Sequence, residues 1–476
     1  MASFPLGVGY LGAVIKNDVE VEIMDAAVES DHEHSMGDDF TWHGSPLEQI
    51  RRRIEKFKPD ILGVSCIFSL AFPVVREICR EVKRIDPDIF TITGGSYPTF
   101  RPEYCLSEPA LDMIAQGEGE LVLLDLIHNL QEGRPLSEVD GLAYKDGERA
   151  VINPKTRWIE DLDSIPFPAR ELLPMQTYKR KGIPHSVTVA ADNFAPLITS
   201  RGCPARCIYC SSTRFWGNRY RFRSAKNVLD EIGELIERWG VREIQFEDDN
   251  MTADRKRAKA IFQGIIDRGY RIKFSFPNGL AIWTLDREIV DLMEAAGCFE
   301  LTLAFESGSQ EFVREVVKKP VDLEKGVAIA EYIRSKKKIR TNAFFIIGFP
   351  GETRQQIDQT LAFADRAKTD LAYFFVATPL PGTELYEIAK NRGLLREDFS
   401  FENVSYARSS YHEGVFPRGE LEKKAARAFV RYNIRSFLRR PHIFFKRYIV
   451  DLLLKRPGYA FTILLRVWRR NIRTYS

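Results

Sequence analysis

Up to about residue 140 the apolar positions switch between two periods. Short apolar runs at residues 19–25, 60–65, 89–93 and 113–115 read as strands. Between them read helices: residues 5–16, with Gly7, Gly9 and Gly12 on one face, 45–57, with the apolar spacing of an amphipathic helix, about 73–85, and a stretch ending near 131. Strands alternating with helices predict a parallel sheet covered on both faces. Such sheets bind ligands beyond the carboxyl ends of their strands.

The pattern changes at residue 141. Residues 141–152 read as a hairpin turning at Asp146-Gly147, and Ile165-Pro-Phe-Pro168 reads as a stiff connector, so 141–190 is expected to link and cap. Across 191–390 six strand–helix units follow, with strands near 197–200, 243–246, 273–276, 301–305, 342–347 and 372–377. Ser224, Thr252, Asp286 and Thr353 stand where helices should be capped. Six units with right-handed crossovers make a partial (β/α)6 barrel, with functional groups at the strand carboxyl ends. Residues 391–476 read as mainly helical. The fold class is α/β: a Rossmann-like (flavodoxin-like) domain over 1–140, a partial TIM-like barrel, then a helical C-terminal region.

Composition adds bounds. The 476 residues suit two or three domains, and 44% hydrophobic content suffices for sizeable cores. A net charge of +3 says little as a total. Its distribution says more, because 12 Lys or Arg against one acid, Asp451, follow from Arg431 onward, interleaved with aromatics. Intramolecular packing is the favoured reading of 431–476, peripheral membrane contact the second, and nucleic acid is not expected. No charged-then-apolar leader opens the chain and no apolar run is as long as a bilayer span, so the protein is expected in the cytoplasm.

The chemistry concentrates in Ser200-Arg-Gly-Cys-Pro-Ala-Arg-Cys-Ile-Tyr-Cys-Ser-Ser212. Cys203, Cys207 and Cys210 are spaced C-x3-C-x2-C, and three thiolates this close hold three corners of an iron–sulfur cube. Zinc would want a fourth ligand at comparable spacing, whereas Cys298 lies far along the chain. A redox pair would leave the third cysteine unexplained.

With the strand-end motifs that follow it, this loop resembles the cobalamin (B12)-binding-domain radical SAM superfamily, over roughly residues 5–130 and 190–390. The resemblance implies a 4Fe-4S cluster on the three cysteines, with S-adenosylmethionine (SAM) on the open iron. It places Tyr209 against adenine. It places an acid of Glu247-Asp-Asp-Asn250, Asp248 or Asp249, near the SAM amino group, although either could be a helix N-terminal acid. Glu306, assisted by Ser307, would bind the ribose hydroxyls, and Gly348 of Gly-Phe-Pro-Gly-Glu-Thr353 would let backbone approach adenine. In the N-terminal domain Ser65, Gly94, Gly95, Tyr97, Gly117 and Glu118 would contact cobalamin; a generic flavodoxin-like turn set is the alternative.

Two departures stand out. The strand that usually precedes the Pro-Leu-Gly-x-Gly-Tyr helix is missing, so either the start is truncated or the cobalamin site is incomplete. No D-x-H-x-x-G supplies an axial histidine, and His34 with Gly37 follows the wrong strand. The acid- and His-rich run 31–43 reads as a solvated loop rather than a metal site.

The resemblance implies an enzyme that cleaves SAM to a 5′-deoxyadenosyl radical. The favoured outcome is cobalamin-dependent methyl transfer to an unactivated carbon of a small molecule. A radical oxidative cyclase or rearrangement enzyme is the alternative, and a cobalamin sensor or scaffold with a vestigial cluster is the reading from another class. A reductant such as flavodoxin or ferredoxin is the implied protein partner.

Overall fold

The computed structural model describes residues 4–35, 41–182, 184–186, 189–336, 338–412 and 414–445. A five-stranded sheet orders β1 (Ile61–Ser65), β2 (Phe90–Gly94), β3 (Met113–Ala115), β4 (Leu142–Asp146) and β5 (Arg149–Ile152) side by side. The first three strands are parallel and the last two antiparallel. Residues 141–152 therefore form the expected hairpin, but it extends this sheet rather than standing in a linker. Met113, Ile114 and Ala115 face Tyr144, Ala143 and Leu142, which pairs the backbone groups that β3 would leave open at its edge.

The run at 19–25 is no strand. Ile23 is buried in a cluster with Phe4, Val28, Leu173 and Tyr178, so its apolar positions are covered by residues from the connector instead of a neighbouring strand. In the 31–43 run, Glu33–Ser35 pairs with Thr41–His43 in a short antiparallel ladder.

The second sheet is parallel throughout. Its order is sequential: β6 (Phe194–Leu197), β7 (Glu243–Phe246), β8 (Lys273–Leu280), β9 (Cys298–Glu306), β10 (Arg340–Ile347) and β11 (Leu371–Val376). Phe274, Phe305 and Phe345 point outward and meet Phe262 and Phe363 of the covering helices. Ser224, Asp286 and Thr353 cap helices as expected, Thr353 within a full capping box. Thr252 does not. Its hydroxyl meets that of Thr284 at 2.6 Å, and Asp254 accepts from Arg257 N to cap the helix Arg255–Asp267.

The helix Glu420–Arg439 closes the open edge of β11. Asn433 accepts from Ala372 N and donates to Ala372 O, both at 3.2 Å, as a neighbouring strand would. Among the described residues no helix is long and apolar enough to cross a membrane.

Candidate functional site

The cysteine loop leaves the carboxyl end of β6 and is held at both stems. Ser200–Arg201 pairs with Arg221–Phe222 in a short antiparallel ladder. Inside the loop, Ile208 N donates to Val317 O at 3.1 Å and Ile208 O accepts from Leu385 N at 2.8 Å. Gly202 has φ +86°, and a Cβ there would meet Arg219 O at 2.1 Å, so the turn into Cys203 requires glycine. Cys203, Cys207 and Cys210 are all free thiols, two half-buried and Cys210 exposed. Burial pushes the Cys207 thiol up to about 11, against the pull of the Lys319 ammonium.

Among the described residues no three Cys, His, Asp or Glu side chains converge on a single metal ion. A cube spreads its ligands over separate iron corners, so a wider triplet suits it. Three unpaired thiols on one loop, with Lys319 beside them to balance thiolate charge, fit such a cluster.

The acids at the strand ends divide into two kinds. Asp248 is buried and structural: it accepts from Thr199 N at 3.1 Å, from Thr199 Oγ1 at 2.6 Å and from the Ser200 hydroxyl. Asp249, next in sequence, is exposed and turns to the cysteine loop, accepting from Trp216 Nε1 at 2.8 Å. Of the two candidates, Asp249 is the one with an exposed carboxylate. Asn250 lies closer still, its Nδ2 3.8 Å from Cys203 Sγ.

Glu306 ends β9 with φ +68°, a conformation a glutamate adopts only under constraint. The constraint is visible. Its carboxylate accepts from the Tyr209 hydroxyl and from Lys319 Nζ, both at 2.6 Å. Burial works against a charge on Lys319, but Glu306 and the neighbouring cysteines more than offset it and keep the ammonium protonated. Tyr209 is thereby fixed beside the cluster loop, its ring 6.2 Å from that of Phe349. Ser307 points elsewhere: its hydroxyl meets Thr360 Oγ1 at 3.2 Å and accepts from Ser309 N.

Gly348 has φ +84°, and a Cβ would strike Leu421 Cδ1 at 2.4 Å. The close approach that demands glycine is thus to the C-terminal helix. Glu352 orients this turn by accepting from Gly348 N and Phe349 N at 2.6 and 3.1 Å, and burial raises its carboxyl to about 7.

In the N-terminal domain Ser65 is exposed at the end of β1, and Gly94 and Gly95 follow on β2. Gly95 has φ +117° and packs so tightly that a Cβ would lie 2.5 Å from Cys66 O. Beyond β1, Ile67, Phe68 and Leu70 stay 56, 58 and 44% exposed. An apolar surface at strand carboxyl ends fits a large flat cofactor such as cobalamin. Tyr97 is not part of that surface, being buried against Phe72 and Phe401. Gly117 lines a separate cavity of about 330 Å³, with Thr99, Lys155 and Trp158 on one side and Arg214 and Phe215, a few residues past Cys210, on the other. His34 sits opposite Trp42 in the small hairpin, beside His32.

Glu118 clamps the two domains. It accepts from Arg201 Nη1 at 2.7 Å, Arg221 Nη1 at 2.8 Å and Ile159 N at 3.1 Å, while Glu120 takes the other Arg201 nitrogen at 2.5 Å. Burial alone would raise its pKa, but the two guanidiniums hold Glu118 below the usual carboxylate range. A second buried set joins Arg170, Glu231, Arg223 and Tyr10.

Sequence reasoning missed Lys319, which lies 13 residues beyond Glu306 and carries no motif. It also missed His185, whose Nδ1 lies 2.7 Å from Glu247 Oε2. Asn278 donates to the same carboxylate at 3.2 Å, so the three gather at the carboxyl ends of β7 and β8. Glu247 raises the His185 pKa by hydrogen bonding, against its burial.

Comparison with known proteins points one way. Residues 197–364 match the radical SAM superfamily and residues 2–127 the B12 binding domain. The chain is 32% identical to the cytidylyl-2-hydroxyethylphosphonate methyltransferase of Streptomyces wedmorensis over 444 residues, 87% of this chain and 82% of that one. It is 30% identical to the anaerobic magnesium-protoporphyrin IX monomethyl ester cyclase of Rubrivivax gelatinosus, over 83% of this chain and 69% of that one. Among solved structures, the radical SAM methyltransferase TsrM from Kitasatospora setae, with cobalamin and a [4Fe-4S] cluster bound, matches with a TM-score of 0.66 at 18% identity, covering 89% of this chain and 79% of that one. At that identity the likeness is one of fold.

Proposed function

From its membership of the B12-binding-domain branch of the radical SAM superfamily, to which the chain belongs, we propose that this enzyme transfers a methyl group to an unactivated carbon of a small molecule. Its cofactors are a 4Fe-4S cluster, SAM and cobalamin. Bound, they supply one-electron cleavage of SAM and a transferable methyl group. The chain's own residues bind and orient. Cys203, Cys207 and Cys210 would hold the cluster, Asp249 would receive the SAM ammonium, and Glu306, fixed by Lys319 and Tyr209, would face the ribose. Ile67, Phe68, Gly95 and Gly117 would bed the cobalamin.

One observation carries the reading. The cavity between the domains is lined by Gln116 and Gly117 on one side and by Arg214, Phe215, Gly217 and Asn218, which follow the cysteine loop, on the other, which supports a reading in which the two cofactor sites would open on shared space. Residues from both domains would then bring the chemistry of the two bound cofactors to one substrate. The identity to a curated methyltransferase over 87% of the chain supports the same reading. Oxidative cyclisation remains the second reading, favoured by 30% identity to a cyclase.

The test is anaerobic reconstitution with cluster, cobalamin, reductant and SAM carrying a labelled methyl group, screened against small-molecule extracts. Methyl transfer gives S-adenosylhomocysteine and 5′-deoxyadenosine together, with label in product. Deoxyadenosine without label transfer favours the cyclase, and a Cys203→Ala/Cys207→Ala/Cys210→Ala variant that keeps its iron would overturn both.

A further inference from the structure

The helix Glu420–Arg439 turns Leu421, Ala425, Tyr432, Asn433 and Ser436 toward the barrel. Its opposite face is apolar rather than polar. Val430, Ile434, Phe437 and Leu438 are 54, 55, 45 and 71% exposed, and their i, i+4, i+7, i+8 spacing makes one stripe. Along its flank Arg427, Arg431, Arg435 and Arg439 recur at every fourth residue, and no acid occurs between residues 426 and 445. Arg435 pairs with Asp365 and Arg439 lies over the Tyr432 ring, but Arg427 and Arg431 have no ion pair among the described residues. Beyond the helix Phe445 is 60% exposed.

We propose that this helix is a docking surface for an anionic lipid bilayer, lying in the interface with Val430, Ile434, Phe437 and Leu438 inserted and the arginine column against the headgroups. A stripe of large apolar side chains beside aligned arginines is the build of an interfacial helix, whose long Arg stems reach upward from an inserted apolar face. Charge complementarity selects the occupant. A second copy packed antiparallel on this stripe would bring two arginine columns together, with like charges facing, and one packed parallel would leave both columns without a counter-charge. The sequence beyond Phe445, residues 446–476, carries eight Lys or Arg against one acid, so it shares the column's sign and complements an anionic surface too.

The experiment is co-sedimentation of the intact protein with phosphatidylcholine vesicles, with and without phosphatidylglycerol. The protein should partition onto the anionic vesicles, release as salt rises, and ignore the neutral ones. Arg427→Gln with Arg431→Gln should weaken partitioning about 30-fold, from about 1 kcal/mol per basic residue at an anionic surface. Ile434→Ser with Leu438→Ser should weaken it at least about tenfold through lost apolar insertion. All four side chains are on the outer face, so both variants should melt with the parent. Equal binding to neutral vesicles, no binding to either, or wild-type binding by both variants overturns the proposal. So does a dimer in light scattering that the Ile434/Leu438 variant splits, since a second copy would then be the occupant.

Discussion

Replacing Glu118 by glutamine tests whether the two domains are clamped where the chemistry is. Glu118 is 2% exposed and receives four hydrogen bonds, one from Arg201, two from Arg221 Nη1, which reaches both carboxylate oxygens, and one from Ile159 N. Glutamine preserves the shape but removes the charge between two buried guanidiniums. Arg201 then keeps Glu120 as its counter-charge, whereas Arg221 Nη1 is left with neutral acceptors, the Ile159 carbonyl and the glutamine oxygen. Breaking a buried pair by neutralising one partner costs about 3–5 kcal/mol. For domains of this size each kcal/mol moves a melting temperature by about 2–4 °C, so the first calorimetric transition should fall by about 10 °C. The loss should also show in chemistry. If the proposed methyl transfer holds, misaligned domains should still cleave SAM on the barrel while methyl transfer falls, so that the ratio of 5′-deoxyadenosine to S-adenosylhomocysteine rises. Acid should reach the same state. Because the folded pKa of Glu118 is depressed, its contribution is complete above the unfolded value of about 4.3 and is lost as pH falls through the lower folded value. A first transition within about 2 °C of wild type, with the product ratio unchanged, would refute the clamp.

Lys319→Met should leave the Glu306 carboxylate with the Tyr209 hydroxyl alone in a buried site; a loss of about 3 kcal/mol in thermal denaturation is expected, and none would mean the pair is not formed. Gly348→Ala should cost about 1–2 kcal/mol from its positive φ and from contact with Leu421. Adding Leu421→Ala should recover part of it, and a double-mutant coupling near zero would exclude the contact. Glu247→Gln should bring the His185 titration down from its raised position toward 6.5, read from ring signals of histidine-labelled protein. The wild-type pair should stabilise the fold below the ordinary histidine pKa and lose that contribution as pH rises through the folded value; an unmoved titration in the variant would break the link.

What was legible in the sequence follows from range. The barrel strands and three helix caps were readable because each is set within a few residues, by alternation of apolar side chains or by one side chain reaching a nearby N–H. The cysteine loop stood out because its three thiols are close in sequence. Glu118 was not, since its partners Arg201 and Arg221 lie 83 and 103 residues away and single-sequence patterns do not pair distant charges. Asp248 and Asp249 show a different limit. Neighbouring residues at a strand end point to opposite faces, so both acids are visible in sequence while only the fold says which one faces the loop. At 19–25 alternation was present without a strand, because the same apolar positions were buried by a connector.

These placements explain how a two-cofactor site can be built on two separate sheets. Arg201 immediately precedes Gly202 and Cys203, and Arg221 closes the ladder on the far side of the same loop. Both stems of the cluster loop are therefore tied to Glu118, and Gly117, its neighbour, lines the cavity between the domains. One short segment thus ties both stems of the cysteine loop to the edge of the cavity, with no long chain of contacts in which small displacements could accumulate. A helix–helix interface elsewhere could join the domains as firmly, but it would leave their facing rims free to tilt. Charged hydrogen bonds at the rim fix direction as well as distance, which is what a transfer between two bound groups requires. The burial of these charges, a cost to stability taken alone, is best accounted for by that alignment.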